Sequence, residues 1–256
     1  MNSKSLVYDG TFDGFLSSVF YIYEYKLNDI HLQNQFSKQE RLFSDRIEIL
    51  TENPKADRVW KGIQLKAGKS QSYKLYTSFL SESSGIENIL LDMIRYIFSN
   101  TSNVAKDFSH PSVLEATKIA KMVGREKHRM EAFVRFKLTK DGIYFANIEP
   151  DFNVLPLISK HFSNRYADQK WLIYDIKRKY GLFYDLNKVK TIAMSFPENF
   201  DFTKTNEYYF ADQEFEFQRL WQDYFKSVNI ASRKNMKLHT QHVPKRYWKY
   251  LSEKLA

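Results

Sequence analysis

Apolar residues in this chain recur at helical spacing in some stretches and in short strand-like runs in others, without a regular strand–helix alternation. The expected class is therefore α+β, a mostly antiparallel sheet of about five strands packed with several amphipathic helices. Only 8 Gly and 6 Pro interrupt the 256 residues, so few long loops are expected. Residues 1–256 read as one domain that can divide into two lobes. The first, 1–105, is mainly helical, and the second, 111–256, is an α+β lobe with a basic C-terminal tail.

Val7-Tyr8 reads as a short strand. The next stretch places Phe12, Phe15, Leu16, Val19, Phe20 and Tyr23 on one helical face, with Asp9 or Thr11 as its cap. Residues 46–51 suggest another strand, and 54–65 and 70–81 suggest helices. Ser84 and Glu87 have capping-box spacing ahead of a helix buried through Ile86, Ile89, Leu90, Met93, Ile94 and Ile97. Residues 100–110 are the best linker. Ser112 and Glu115 repeat the capping-box spacing before a helix to about Met130. Strands are expected over 133–138 and 143–149, turned by Asp141-Gly142, and over 171–176, 181–186 and 189–196, with a helix over 153–166. A long helix over 209–231 should turn Phe217, Leu220, Trp221, Tyr224, Phe225 and Val228 inward.

Several chemistries drop out. With no cysteine there is no disulfide, thiolate metal site, iron–sulfur cluster or cysteine nucleophile. No phosphate-loop, dinucleotide-turn or nucleophile-elbow pattern occurs. His239 and His242 have no evident third ligand, so neither a metal nor a cofactor is expected. The polar N-terminus and the lack of any run approaching the roughly 18 apolar residues of a spanning helix make the cytoplasm the expected location, with no membrane partner.

Charge is the most informative remainder. The net charge is +9, and residues 233–256 set seven cations against Glu253 alone. A basic end on a nearly balanced body suggests a localised anionic partner. On the 112–130 helix, Lys118, Lys121, Arg125, His128 and Arg129 share one sector, opposite Ala116, Ile119, Ala120, Val123 and Met130. That stripe suits a line of phosphates, or is simply a solvated face. The tail mixes cations with aromatics, so Tyr247 and Trp248 either stack on unpaired bases or dock a last short helix through Tyr247, Trp248 and Leu251. His161 and Arg165 suit either a satisfied core position or an acid–base or phosphate pocket. Lys177-Arg178-Lys179 is either a solvated turn or a phosphate clamp.

Four segments resemble the bacterial "probable DNA metabolism protein" family, a domain of unknown function. They are Tyr8-Asp9-Gly10-Thr11-Phe12-Asp13-Gly14, Arg125-Glu126-x-His128-Arg129-Met130, Asp151-Phe152-x-Val154 through Asp175, and Arg219-Leu220-Trp221 through Gln241-His242-x-Pro244-x-Arg246-Tyr247-Trp248. The resemblance implies proximity to DNA repair and a radical-SAM protein of DNA-repair type as companion. Some relatives are fused ahead of a uracil-DNA glycosylase-like domain; here the sequence stops at the closing motif, so glycosylase activity is not expected of it. The leading reading is an accessory module binding DNA, single-stranded or damaged by preference, through Lys121, Arg125, His128, Arg129, Arg135, Arg165, Arg178, Arg233, Lys245 and Arg246. The rivals are a nucleic-acid enzyme using His128 or His161 with Asp9 or Asp175, and an adaptor docking the radical-SAM protein.

Overall fold

The computed structural model describes residues 4–36, 45–198, 200–228 and 235–254, and every structural statement below concerns those residues. They form two compact units, residues 1–124 and 125–256. The fold is α+β.

In the first unit, strands β1 (Lys4–Tyr8), β2 (Ile30–Asn34) and β3 (Asp45–Glu48) form a parallel sheet in the order β2-β1-β3. Helix α1 (Phe12–Glu24) makes the crossover from β1 to β2 that a parallel pair requires. Thr11 caps it, its hydroxyl accepting from Gly14 N at 2.9 Å. Asp9 steadies the cap by accepting from Thr11 N and from the hydroxyls of Thr11 and Thr51. Partial burial alone would raise the Asp9 pKa, but these hydrogen bonds prevail and hold it below the usual aspartate range. Gly14 is obligatory, because a Cβ there would sit 2.2 Å from the Asp9 carboxylate. Helices α2 (Asn53–Ala67), α3 (Lys69–Phe79) and α4 (Ile86–Ser99) complete this core. The capping-box expectation for Ser84 and Glu87 is corrected. Gly85, with φ +79°, precedes α4, and the Glu87 carboxylate instead accepts from Tyr8 Oη and Asn34 Nδ2.

Helix α5 (Pro111–Phe133) runs from the first unit into the second. The second unit holds a five-stranded sheet, β4 (Lys137–Leu138), β5 (Tyr144–Ile148), β6 (Trp171–Asp175), β7 (Tyr180–Tyr184) and β8 (Val189–Ala193), in sequential order. Three of its joins are antiparallel, but β5 and β6 are parallel, linked by α6 (Leu155–Arg165). The sheet is therefore mixed. The expected strand over 133–138 shrinks to two residues because α5 continues to Phe133. The Asp141-Gly142 turn is present, with Gly142 at φ +77° and its N–H donating to Thr139 O at 3.0 Å. Gly181 has no room for a Cβ, which would lie 2.8 Å from Ile173 O across the β6–β7 hairpin.

Helix α7 (Asp212–Val228) departs most from expectation. Phe217, Leu220, Trp221 and Tyr224, expected to face inward, are 57%, 60%, 41% and 58% exposed. The helix is seated by the Trp221 indole, whose N–H donates to Glu253 at 3.1 Å, and by other positions. Buried Glu214 accepts from Leu138 N, and Phe225 lies 4.7 Å under the Lys254 ammonium. The chain ends in α8 (Met236–His242) and two 3₁₀ turns, Lys245–Tyr250 and Ser252–Lys254.

Candidate nucleic-acid interface

Helix α5 has the two faces its periodicity implies. Val113, Ala116, Ile119, Ala120, Val123 and Met130 are buried, while Lys118, Lys121, Arg125 and His128 are exposed and Arg129 is half-buried. Lys118 is 3.4 Å from Glu115, and Lys127 is 2.6 Å from Glu131. Among the described residues, no carboxylate forms an ion pair with Lys121 or Arg125.

One acid occupies the buried side of this helix. Glu126 falls at the spacing of Ile119, Val123 and Met130, and its side chain is 1% exposed. A carboxylate there must be supplied with donors. It accepts from Tyr247 Oη, from Asp151 N at 2.9 Å, and from Arg129 and Arg246 at 3.3 Å each. Burial first, and then the hydrogen bond to Glu126 and its charge, push the Tyr247 hydroxyl well above its usual pKa. Arg246 also pairs with Asp151 at 2.6 Å and lies 4.5 Å from the Tyr247 ring centre.

Neighbouring pairs fasten the same region, where the parallel strands β5 and β6 end. Asp175, fully buried, pairs with Arg178 at 2.9 Å, and the Arg178 guanidinium also donates to the carbonyls of Pro150 and Asp151. Burial raises the Asp175 pKa, with the Arg178 charge opposing. Glu149 accepts from Lys249 at 2.7 Å and Tyr250 Oη at 2.6 Å. Those donors lower its pKa, and burial with the Glu149 bond pushes Tyr250 up to about 12. Arg135 binds Glu253 at 2.8 Å. Tyr247 and Leu251 are 2% exposed, and Trp248 is half-buried with its indole N–H on Val243 O. The tail's rings are thus docked, and two of its cations, Arg246 and Lys249, are paired with carboxylates of the same unit.

The sequence candidates scatter accordingly. Asp9 caps a helix in the first unit. His128 and His161 approach the same carboxylate, Glu131, at 3.9 and 3.7 Å, while Asp175 is committed to Arg178. Arg165 is exposed beside the Tyr166 ring, and Lys245 is exposed. Arg233 lies outside the described residues. Arg129, Arg135, Arg178 and Arg246, expected as phosphate contacts, all hold carboxylates within the unit. The residue that holds two of them, Arg129 and Arg246, is Glu126, which was not singled out. Its signal was an acid at a core position of an otherwise apolar helical face.

The model of a family described only as a domain of unknown function, DUF4130, matches residues 84–253, which include α5, the mixed sheet and most of the tail. The chain belongs to DUF4130. This DUF4130 protein has no match among curated proteins. A solved structure, a pGpG-specific phosphodiesterase, PggH from Vibrio cholerae, superposes with a TM-score of 0.34 and 11% identity, covering 72% of this chain and 81% of that one. A likeness so faint transfers neither architecture nor activity. No helix among the described residues is long and apolar enough to cross a membrane, and no three His, Asp or Glu side chains are grouped to hold a metal ion.

Proposed function

We propose that this DUF4130 protein is an accessory nucleic-acid-binding protein of DNA metabolism, working in the cytoplasm, with the exposed cationic side of α5 as its contact face. The observation that carries the reading is the pair Lys121 and Arg125, exposed on that face and without an ion-pair partner among the described residues. Ammonium and guanidinium groups in this state lose no internal ion-pair partner on meeting a phosphate. His128, Arg165 and Lys245 are exposed as well and are further candidate contacts. Arg129, Arg135, Arg178 and Arg246 serve the fold first, because releasing any of them would take one donor from a buried or partly buried carboxylate. The resemblance to DNA-metabolism proteins supports DNA as the ligand and a radical-SAM protein as companion.

Fluorescence anisotropy with a single-stranded and a duplex oligonucleotide tests the reading across a salt series. Affinity should fall with salt, and Lys121→Ala with Arg125→Ala should reduce the log–log slope by about 1.4 to 1.8. Thermal stability should stay unchanged, since both side chains are exposed. A salt-independent affinity, or a double variant that binds like the parent, overturns it.

A further inference from the structure

The exposed stripe of α7 is a different kind of surface from the basic face of α5. Phe217, Leu220, Trp221 and Tyr224 occupy positions i, i+3, i+4 and i+7, so they line one side of the helix, and each is 41% or more exposed. Trp221 is held at one edge, its indole N–H donating to Glu253 at 3.1 Å, while Phe217, Leu220 and Tyr224 are more than half exposed, and so large an open apolar row is unusual for a surface that meets only water. One margin of the row is where the helix seats on its unit through Glu214 and Phe225. The open margin carries Asp212, Glu216 and Asp223, which fall within about 40° of one another around the helix axis and are all exposed. Arg219 beside them offsets one of the three charges. Among the described residues none of these acids is in an ion pair. An acidic-edged apolar row thus stands on a chain of net charge +9.

We infer that this face of α7 docks an amphipathic helix of another protein, one whose apolar stripe is bordered by lysine or arginine. The charge pattern makes the choice. Nucleic acid would bring phosphates against an acidic edge. A second copy of α7, laid antiparallel on the first, would set the same acidic margin against itself, and like charges facing each other weaken a contact. A cationic helix satisfies both features at once, burying the aromatic row and meeting the acids at the rim. The aromatic composition also suits a binding centre, where Trp and Tyr dominate.

The probe is a pair of synthetic helical peptides with one leucine stripe, bordered by lysine in the first and by glutamate in the second, titrated against the full chain by calorimetry. The Leu/Lys peptide should bind and the Leu/Glu peptide should not. Leu220→Ser should weaken the Leu/Lys peptide by about tenfold or more, with an unchanged circular-dichroism melt. Because losing an apolar residue alone does not test the rim, Glu216→Lys with Asp223→Lys supplies the second arm. It should reverse the preference, admitting the Leu/Glu peptide and rejecting the Leu/Lys one. Equal binding of both peptides, or indifference to both sets of variants, overturns the inference. So does sedimentation of the parent chain as a dimer that Leu220→Ser dissociates, which would make the occupant a second copy. Displacement of the peptide by a single-stranded oligonucleotide, sensitive to Leu220→Ser, would assign the face to nucleic acid and overturns it equally.

Discussion

Helices α5 and α7 carry the same sequence signal and meet opposite fates. Each sets apolar residues at helical spacing against charged ones, yet the α5 stripe through Val123 and Met130 is buried, and the α7 stripe through Leu220 and Tyr224 faces out. Periodicity fixes that a segment is helical and which side is apolar. What covers that side is decided elsewhere in the chain. The two stripes also differ in composition. That of α5 is aliphatic and small, with Ala116 and Ala120 allowing close approach, whereas that of α7 is mostly aromatic, a composition found at binding centres as readily as in cores.

The sharpest way to break this contrast is to place one carboxylate on each stripe. Val123→Asp should cost about 4 kcal/mol or more, because it buries a charge with no donor, while Leu220→Asp should stay within about 0.5 kcal/mol. Urea unfolding of both variants measures the difference, and equal costs would mean that the α7 stripe is covered after all. A smaller effect probes the polar member of the buried face. Tyr247→Phe removes one donor from Glu126 and should cost about 1 to 3 kcal/mol, whereas Tyr224→Phe on the open face should cost nothing measurable by the same method.

The smallest effect is in pH. The folded-state pKa values of Glu149 and Glu253 lie below their ordinary value of 4.5. For Glu149 the cause is the Lys249 and Tyr250 hydrogen bonds. For Glu253 burial opposes, but the Arg135 hydrogen bond and charge prevail. A lowered pKa means the unfolded chain takes up protons first as pH falls, so the tail's attachment is complete above about 4.5 and is lost below it. Trp248 emission followed from neutral pH downward should shift to the red in that window before global unfolding. The associated loss should stay under about 1 kcal/mol, since Glu149 is substantially exposed. A flat emission would show that the apolar anchors Tyr247 and Leu251 hold the tail unaided.

Much of the fold was legible where local chemistry decides it: the helical stretches, the Asp141-Gly142 hairpin and the Thr11 cap. Less legible was anything set by long-range pairing. Nothing local distinguishes the parallel β5–β6 join from an antiparallel one, and β2, with a single buried residue in Leu32, carries almost no alternation to detect. The charged residues were legible as a group, but the internal partners of four arginines were not. Arg178 and Arg246 look like surface cations until Asp175, Glu126 and Asp151 are found opposite them, and those pairings span up to 120 residues.

The meeting of Glu126 and Tyr247 has a consequence for synthesis. These residues lie near the first and last positions of their unit, so the buried carboxylate at the start of it waits for donors made almost at the end. A nascent chain has Glu126 outside the ribosome for more than a hundred residues before Tyr247 and Arg246 follow, and burying the carboxylate in that interval would leave it short of partners. The second unit should therefore complete its folding only once residues 246 and 247 have emerged, with a high-contact-order closing step. A chain arrested at residue 244 should remain open to protease around α5, even though every strand of its sheet has already been made.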